Sequence, residues 1–175
     1  MRKQKGFSLI ELLIVVAIIL IIAAIAIPNL MRAKMAANDS SAAASTRSIV
    51  TGEIAYYSSF PTIGYTALVS LGGALNVACV PGTGTACLID SVLANNGSPA
   101  NAGKSGYSFA ATPSASGVVA GLNDQFLETG TPLGATTGSK AYCAIDDGVV
   151  RTQPAGTITL VASYAACQKL NPLAN

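Results

Sequence analysis

The side chains able to do chemistry in this sequence are few. Histidine is absent from the 175 residues, which removes the commonest general base near neutral pH and the most frequent zinc ligand. Four cysteines, Cys79, Cys87, Cys143 and Cys167, make an even number without a CxxC pair. That arrangement points to disulfides formed in an oxidising compartment rather than to a metal site. Asp146 and Asp147 are adjacent carboxylates, but Gly148 follows them, and Asp-Gly supplies the positive φ angles of a tight hairpin turn, so the pair reads as turn residues rather than as an acid/base couple. No Ser/His/Asp set, phosphate-cradling glycine loop or ligand cluster is present. The sequence thus predicts a protein that is not an enzyme and uses no cofactor or metal. Asn38-Asp39-Ser40 and Asn96-Gly97-Ser98 match the glycosylation tripeptide, which is frequent by chance, and no site is assigned to either.

One more ionisable residue stands out by its surroundings. Glu11 is the single charge in FSLIELLIVVAIILIIAAIAI, the 21 residues from Phe7 to Ile27. At about 1.5 Å per residue this run is long enough for a hydrocarbon core of about 30 Å. Arg2, Lys3 and Lys5 precede it, so the short N-terminus is expected on the cytoplasmic side and everything after Pro28 outside. A charge inside such a helix costs roughly 2.5–3.5 kcal/mol on insertion scales. A cleaved secretory signal and a plain membrane anchor both leave that cost unexplained, although Glu11 near the end of the span could also snorkel toward the interface without a partner.

Lys5-Gly6-Phe7-Ser8-Leu9-Ile10-Glu11 followed by an uninterrupted apolar helix resembles the processing signature of type IV prepilins and of type II secretion pseudopilins. The resemblance covers about the first 30 residues. It implies that a prepilin peptidase cuts between Gly6 and Phe7 and methylates the new amine of Phe7, and that Glu11 pairs with that amine on a neighbouring subunit during assembly. Gly6, without a side chain and poor in a helix, suits an accessible cleavage point. Two opposite charges about 4 Å apart attract by about 4 kcal/mol at an effective dielectric near 20, which offsets the insertion cost once a partner arrives. Removing residues 1–6 takes Lys+Arg from 10 to 7 against 8 Asp+Glu, a net of −1, so no nucleic-acid partner is expected.

The elements that position these residues read as an α+β chain. After the leader, 1–6, come a membrane-spanning helix half, 7–27, and an amphipathic half, 28–59, separated by a kink at Pro28. Val50, Ile54 and Tyr57 recur at helical spacing and are expected to face a core. Phe60-Pro61 ends the helix. Residues 60–104, punctuated by Gly72-Gly73, Pro81-Gly82 and Asn96-Gly97-Ser98-Pro99, read as a surface-exposed connecting loop with a short helix near Cys87 to Leu93. Residues 105–175 read as a small antiparallel sheet with strands at Tyr107-Ser108-Phe109, Gln125–Thr129, Ala141–Ile145 and Val149–Thr152, and a last strand at Thr157–Val161. Four cysteines allow three pairings. Cys79–Cys87 with Cys143–Cys167 is chosen because the first pair is local and the second joins neighbouring elements.

The expected product is a structural subunit of a type IV pilus: a single-pass bacterial inner-membrane protein that passes through a pilus assembly platform into a helical homo-oligomeric filament at the cell surface. The N-terminus equally fits a secretion pseudopilin, or a minor tip pilin acting as an adhesive module. The lack of an Asp-rich calcium loop favours the pilus.

Overall fold

The computed structural model of the chain describes residues 7–173. The leader and the Gly6 side of the predicted cleavage point lie outside the described residues. The chain divides between Lys34 and Met35 into two units, and its first element, helix α1, is Leu9–Ser59. Pro28 lies inside that helix without interrupting it. Because proline has no N–H, the carbonyl one turn earlier loses its intrahelical partner there. From Leu12 to Ile27 α1 is apolar on every side, and each residue from Phe7 to Ile22 is exposed.

In the C-terminal unit α1 buries a stripe. Ala42, Thr46, Ile49, Glu53 and Tyr56 are covered, with Ala43 and Val50 beside them, at the i, i+4, i+7 spacing of one helix face. This corrects the expected core face: Val50 is buried, but Ile54 is 45% exposed and Tyr57 packs at the margin on Tyr65, with ring centroids 4.9 Å apart. Close approach helps to set this face alongside the large side chains of Ile49 and Tyr56. Gly52 points at Ile89, where an added Cβ would come within 3.0 Å of the side chain.

The stripe packs on a five-stranded antiparallel sheet in the order β1-β2-β3-β4-β5, formed by β1 Tyr107–Ser114, β2 Gln125–Pro132, β3 Tyr142–Ile145, β4 Arg151–Thr152 and β5 Asn171–Pro172. Gly130 on β2 sits opposite Phe109. A Cβ there would lie 3.1 Å from the Phe109 ring and 3.3 Å from Thr46 Oγ1, so the glycine lets helix and sheet close together. β3 is buried on both faces: Tyr142 and Ala144 join the core under α1, while Cys143 and Ile145 join a second cluster with Val161 and Cys167. That alternation is the two-residue period of a strand covered on both sides.

Two expectations change here. The 60–104 region is not simply an exposed loop. It holds α2, Leu68–Leu71, and α3, Ser91–Ala94, and Leu68, Leu71 and Leu93 are buried in the main core. The Leu71 carbonyl accepts from the backbone N–H of Leu88 at 2.7 Å, and Asp90 caps α3 by accepting from Leu93 N at 2.9 Å. Widely spaced leucines anchor a chain otherwise rich in turn residues; the part around Val77 and Val80 stays exposed. The strand expected at Thr157–Val161 is absent. Leu160 is 60% exposed while Val161 is buried, and the chain continues into α4, Tyr164–Gln168, whose Cys167 is tied to β3. The sheet is completed instead by β5 pairing with β4.

Candidate assembly site

At the start of α1, Phe7 and Ser8 precede the first helical turn and Phe7 is 82% exposed. Glu11 stands at the third helical position, and its Oε2 accepts from the Ser8 backbone N–H at 2.8 Å. This is the reciprocal half of a capping box, in which a glutamate reaches back to satisfy a donor the helix start leaves open. Sequence reasoning missed the role, although Ser8-Leu9-Ile10-Glu11 ahead of an apolar run carries its pattern. The second oxygen, Oε1, makes no hydrogen bond among the described residues. Glu11 thus completes its own helix with one oxygen and presents the other at the exposed end of an apolar rod.

From Leu9 onward the helix is long and apolar enough to cross a membrane, and no residue of its most apolar 18-residue window is buried within the chain. An all-round apolar helix without protein cover needs lipid or other helices around it.

The C-terminal unit is fastened at several points. Cys79 is bonded to Cys87, and Cys143 to Cys167. The first bridge staples an exposed loop, whereas both sulfurs of the second are fully buried. Asp39 on α1 is a further anchor. It accepts from the Tyr107 hydroxyl at 2.5 Å, from Ser139 N at 2.9 Å and from Ser139 Oγ at 2.6 Å. Burial, and then the bond to Asp39, raises the pKa of the Tyr107 hydroxyl and keeps it protonated. The neighbouring Asn38 donates to Thr137 O at 2.7 Å. In the other tripeptide, Asn96 accepts from Phe109 N at 2.7 Å and donates to Ser108 Oγ. Both asparagine amides are therefore engaged in holding the fold.

Asp146 and Asp147 follow β3 in the turn that Gly148 closes with φ 74°. Asp147 pairs with Arg151, which holds its carboxyl below the usual range, and Asp146 accepts from Tyr164, raising that hydroxyl to about 12. The two carboxylates serve different partners and do not form a couple. Among the described residues no group of three or more His, Cys, Asp and Glu side chains is placed to hold a metal ion.

Comparison with known proteins bears on the N-terminus. Residues 1–27 match the family described as the prokaryotic N-terminal methylation motif. Over 39 residues the chain is 67% identical to the type IV wide pilus major component PilA4 of Thermus thermophilus, covering 22% of this chain and 30% of that protein. Over 56 residues it is 43% identical to the type IV major pilin protein PilA of Myxococcus xanthus, covering 32% of this chain and 26% of that protein. The matched segments thus span less than a third of these relatives. No solved structure matches. The methylation motif lies in the region that carries Phe7, Glu11 and the start of the apolar helix.

Proposed function

We propose that this chain is a structural subunit of a type IV pilus, made as an inner-membrane precursor, cut after Gly6, methylated on Phe7 and assembled into a filament of many copies. The observation that carries this reading is the uncovered apolar helix that begins with an exposed Phe7 and a half-engaged Glu11. In the membrane, lipid covers the helix. In a filament, the same surface is covered by the helices of other copies, and Glu11 Oε1 receives the amine that cleavage creates on a neighbouring Phe7. The charge then costs least in the assembled state, which directs the equilibrium toward filaments. The names of both relatives, each a major pilus component, favour a pilus over a secretion pseudopilus.

The test is the intact mass of protein sheared from the cell surface. Loss of residues 1–6 with one added methyl group is the expected result. Sheared protein that retains the leader would contradict the processing step, and a bulky replacement at Gly6 should leave the precursor in the membrane.

A further inference from the structure

Two carboxylic acids lie inside the C-terminal unit, and the assembly site uses neither. Glu53 on α1 and Glu128 on β2 are each 0% exposed. Their hydrogen bonds cross the seam between α1 and the rest of the unit in opposite directions. The Thr66 backbone N–H donates to Glu53 Oε2 at 3.0 Å, and the Thr46 hydroxyl on α1 donates to Glu128 Oε1 at 3.2 Å. The remaining oxygens, Glu53 Oε1 and Glu128 Oε2, are buried without a hydrogen-bond partner among the described residues. Around them lie Ile49 and Tyr56 on the helix and Phe109 and Phe126 on the sheet, all in the main apolar core.

Among the described residues no cation contributes to the shift of either group. Glu53 feels burial first and the Thr66 bond second; Glu128 feels burial first and the Thr46 bond second. Tyr65 senses Glu53 together with Asp146 and Tyr57, and no cation among the described residues contributes to the shift of Glu53. Arg47 follows Thr46 on the helix but is exposed. An ionised carboxylate with one hydrogen bond in an apolar interior is strongly disfavoured, and such a group stays protonated instead. Burial accordingly moves Glu53 up to about 7 and Glu128 well above the ordinary range.

We propose that Glu53 and Glu128 form a two-point latch, whose neutral carboxyl groups hold the sheet and the Thr66 loop against α1 and whose deprotonation in neutral to alkaline surroundings loosens that seam. The direction follows from proton uptake. The unfolded chain ionises both groups near 4.5, whereas the folded unit keeps its protons to higher pH. Stability is therefore complete below about 4.5, declines as pH rises from there, and stops declining once the folded carboxyls ionise, near 7 for Glu53 and higher for Glu128. Little else titrates in this window. The chain has no histidine, its cysteines are bridged, and only the α-amino group ionises near pH 8.

The experiment uses the full chain in detergent micelles, unfolded by urea from about pH 4.5 to about pH 9 and followed by the near-ultraviolet dichroism of its six tyrosines. We expect the folding constant of the wild type to fall by up to roughly tenfold per pH unit for each carboxyl. The Glu53→Gln, Glu128→Gln double variant should show a nearly flat profile. In parallel, carbon-13 resonances of the glutamate carboxyls in the folded wild type should show two groups that remain protonated well above pH 4.5. A double variant that keeps the wild-type slope, or wild-type resonances that all titrate in the ordinary glutamate range, would overturn the latch. If the double variant does not fold, the resonances decide alone.

Discussion

From Phe7 to Ile22 every residue is exposed in an apolar run, and its one charge, Glu11, sits at the helix end with one oxygen in a cap and the other without a hydrogen bond among the described residues. In the C-terminal unit the same helix buries a narrow stripe, and the acids there, Glu53 and Glu128, are covered and each hydrogen-bonded through one oxygen. Both regions place carboxyl groups among apolar side chains. Glu53 and Glu128 are enclosed within one chain, and burial raises the pKa of both and so favours their neutral form. Glu11 has no such enclosure, and under the assembly reading a second chain supplies the opposite charge. An acid whose environment is finished internally affects stability; one whose environment is finished by a neighbour affects association.

Perturbing the C-terminal unit should therefore change its stability and leave the N-terminal contact intact. The largest effect is expected from the buried bridge. Cys143 and Cys167 are 24 residues apart and Cys79 and Cys87 only 8, so the chain-entropy relation assigns about 3.5 kcal/mol to the first and about 2.6 kcal/mol to the second. Removing Cys143 and Cys167 together should lower the urea midpoint more than removing the other pair, the more so because both sulfurs sit in a core cluster. An equal or smaller loss would mean that the second cluster contributes little to holding the unit.

Asp39→Ala comes next, at about 2 kcal/mol, because the change strips the acceptor from Ser139 N, Ser139 Oγ and one of two acceptors from Tyr107. Asp39→Asn should recover part of that loss. Thermal unfolding of both variants would check the order, and an Asp39→Ala protein as stable as wild type would remove Asp39 from the fastening of α1. The smallest effect belongs to Lys104→Ala. Its ion pair with Asp90 spans 3.1 Å but the side chains keep 31% and 53% of their surface in solvent, so less than about 0.5 kcal/mol is expected from equilibrium unfolding. A loss above about 1 kcal/mol would show that this edge is tied more firmly than its exposure suggests.

How much of this was legible in the sequence depended on how local each signal is. The long helix, its end before Pro61 and the hairpin at Gly148 follow from runs of neighbouring residues. The pairing of cysteines was readable from proximity, and the bridges lie where proximity placed them. The buried acids were missed, yet both had a signal. Glu53 lies four residues after Ile49 and three before Tyr56, and Glu128 lies two after Phe126, so each shares the inward face of its element. Reading polarity before periodicity hid them. The placement of Leu68, Leu71 and Leu93 and the loss of the Thr157–Val161 strand depend on contacts distant in sequence, which local spacing does not encode.

Glu11→Gln provides the most direct test of the central claim, because glutamine can still reach the Ser8 N–H and preserve the helix cap while losing the charge. Protein sheared from the cell surface and protein retained in the inner membrane would be quantified for wild type, Glu11→Gln and Glu11→Ala. The account predicts that both variants insert normally and keep the wild-type urea midpoint, but that filament protein falls at least tenfold for each as subunits accumulate in the membrane. Wild-type amounts of filament from Glu11→Gln would contradict it, leaving Glu11 as a helix cap and nothing more.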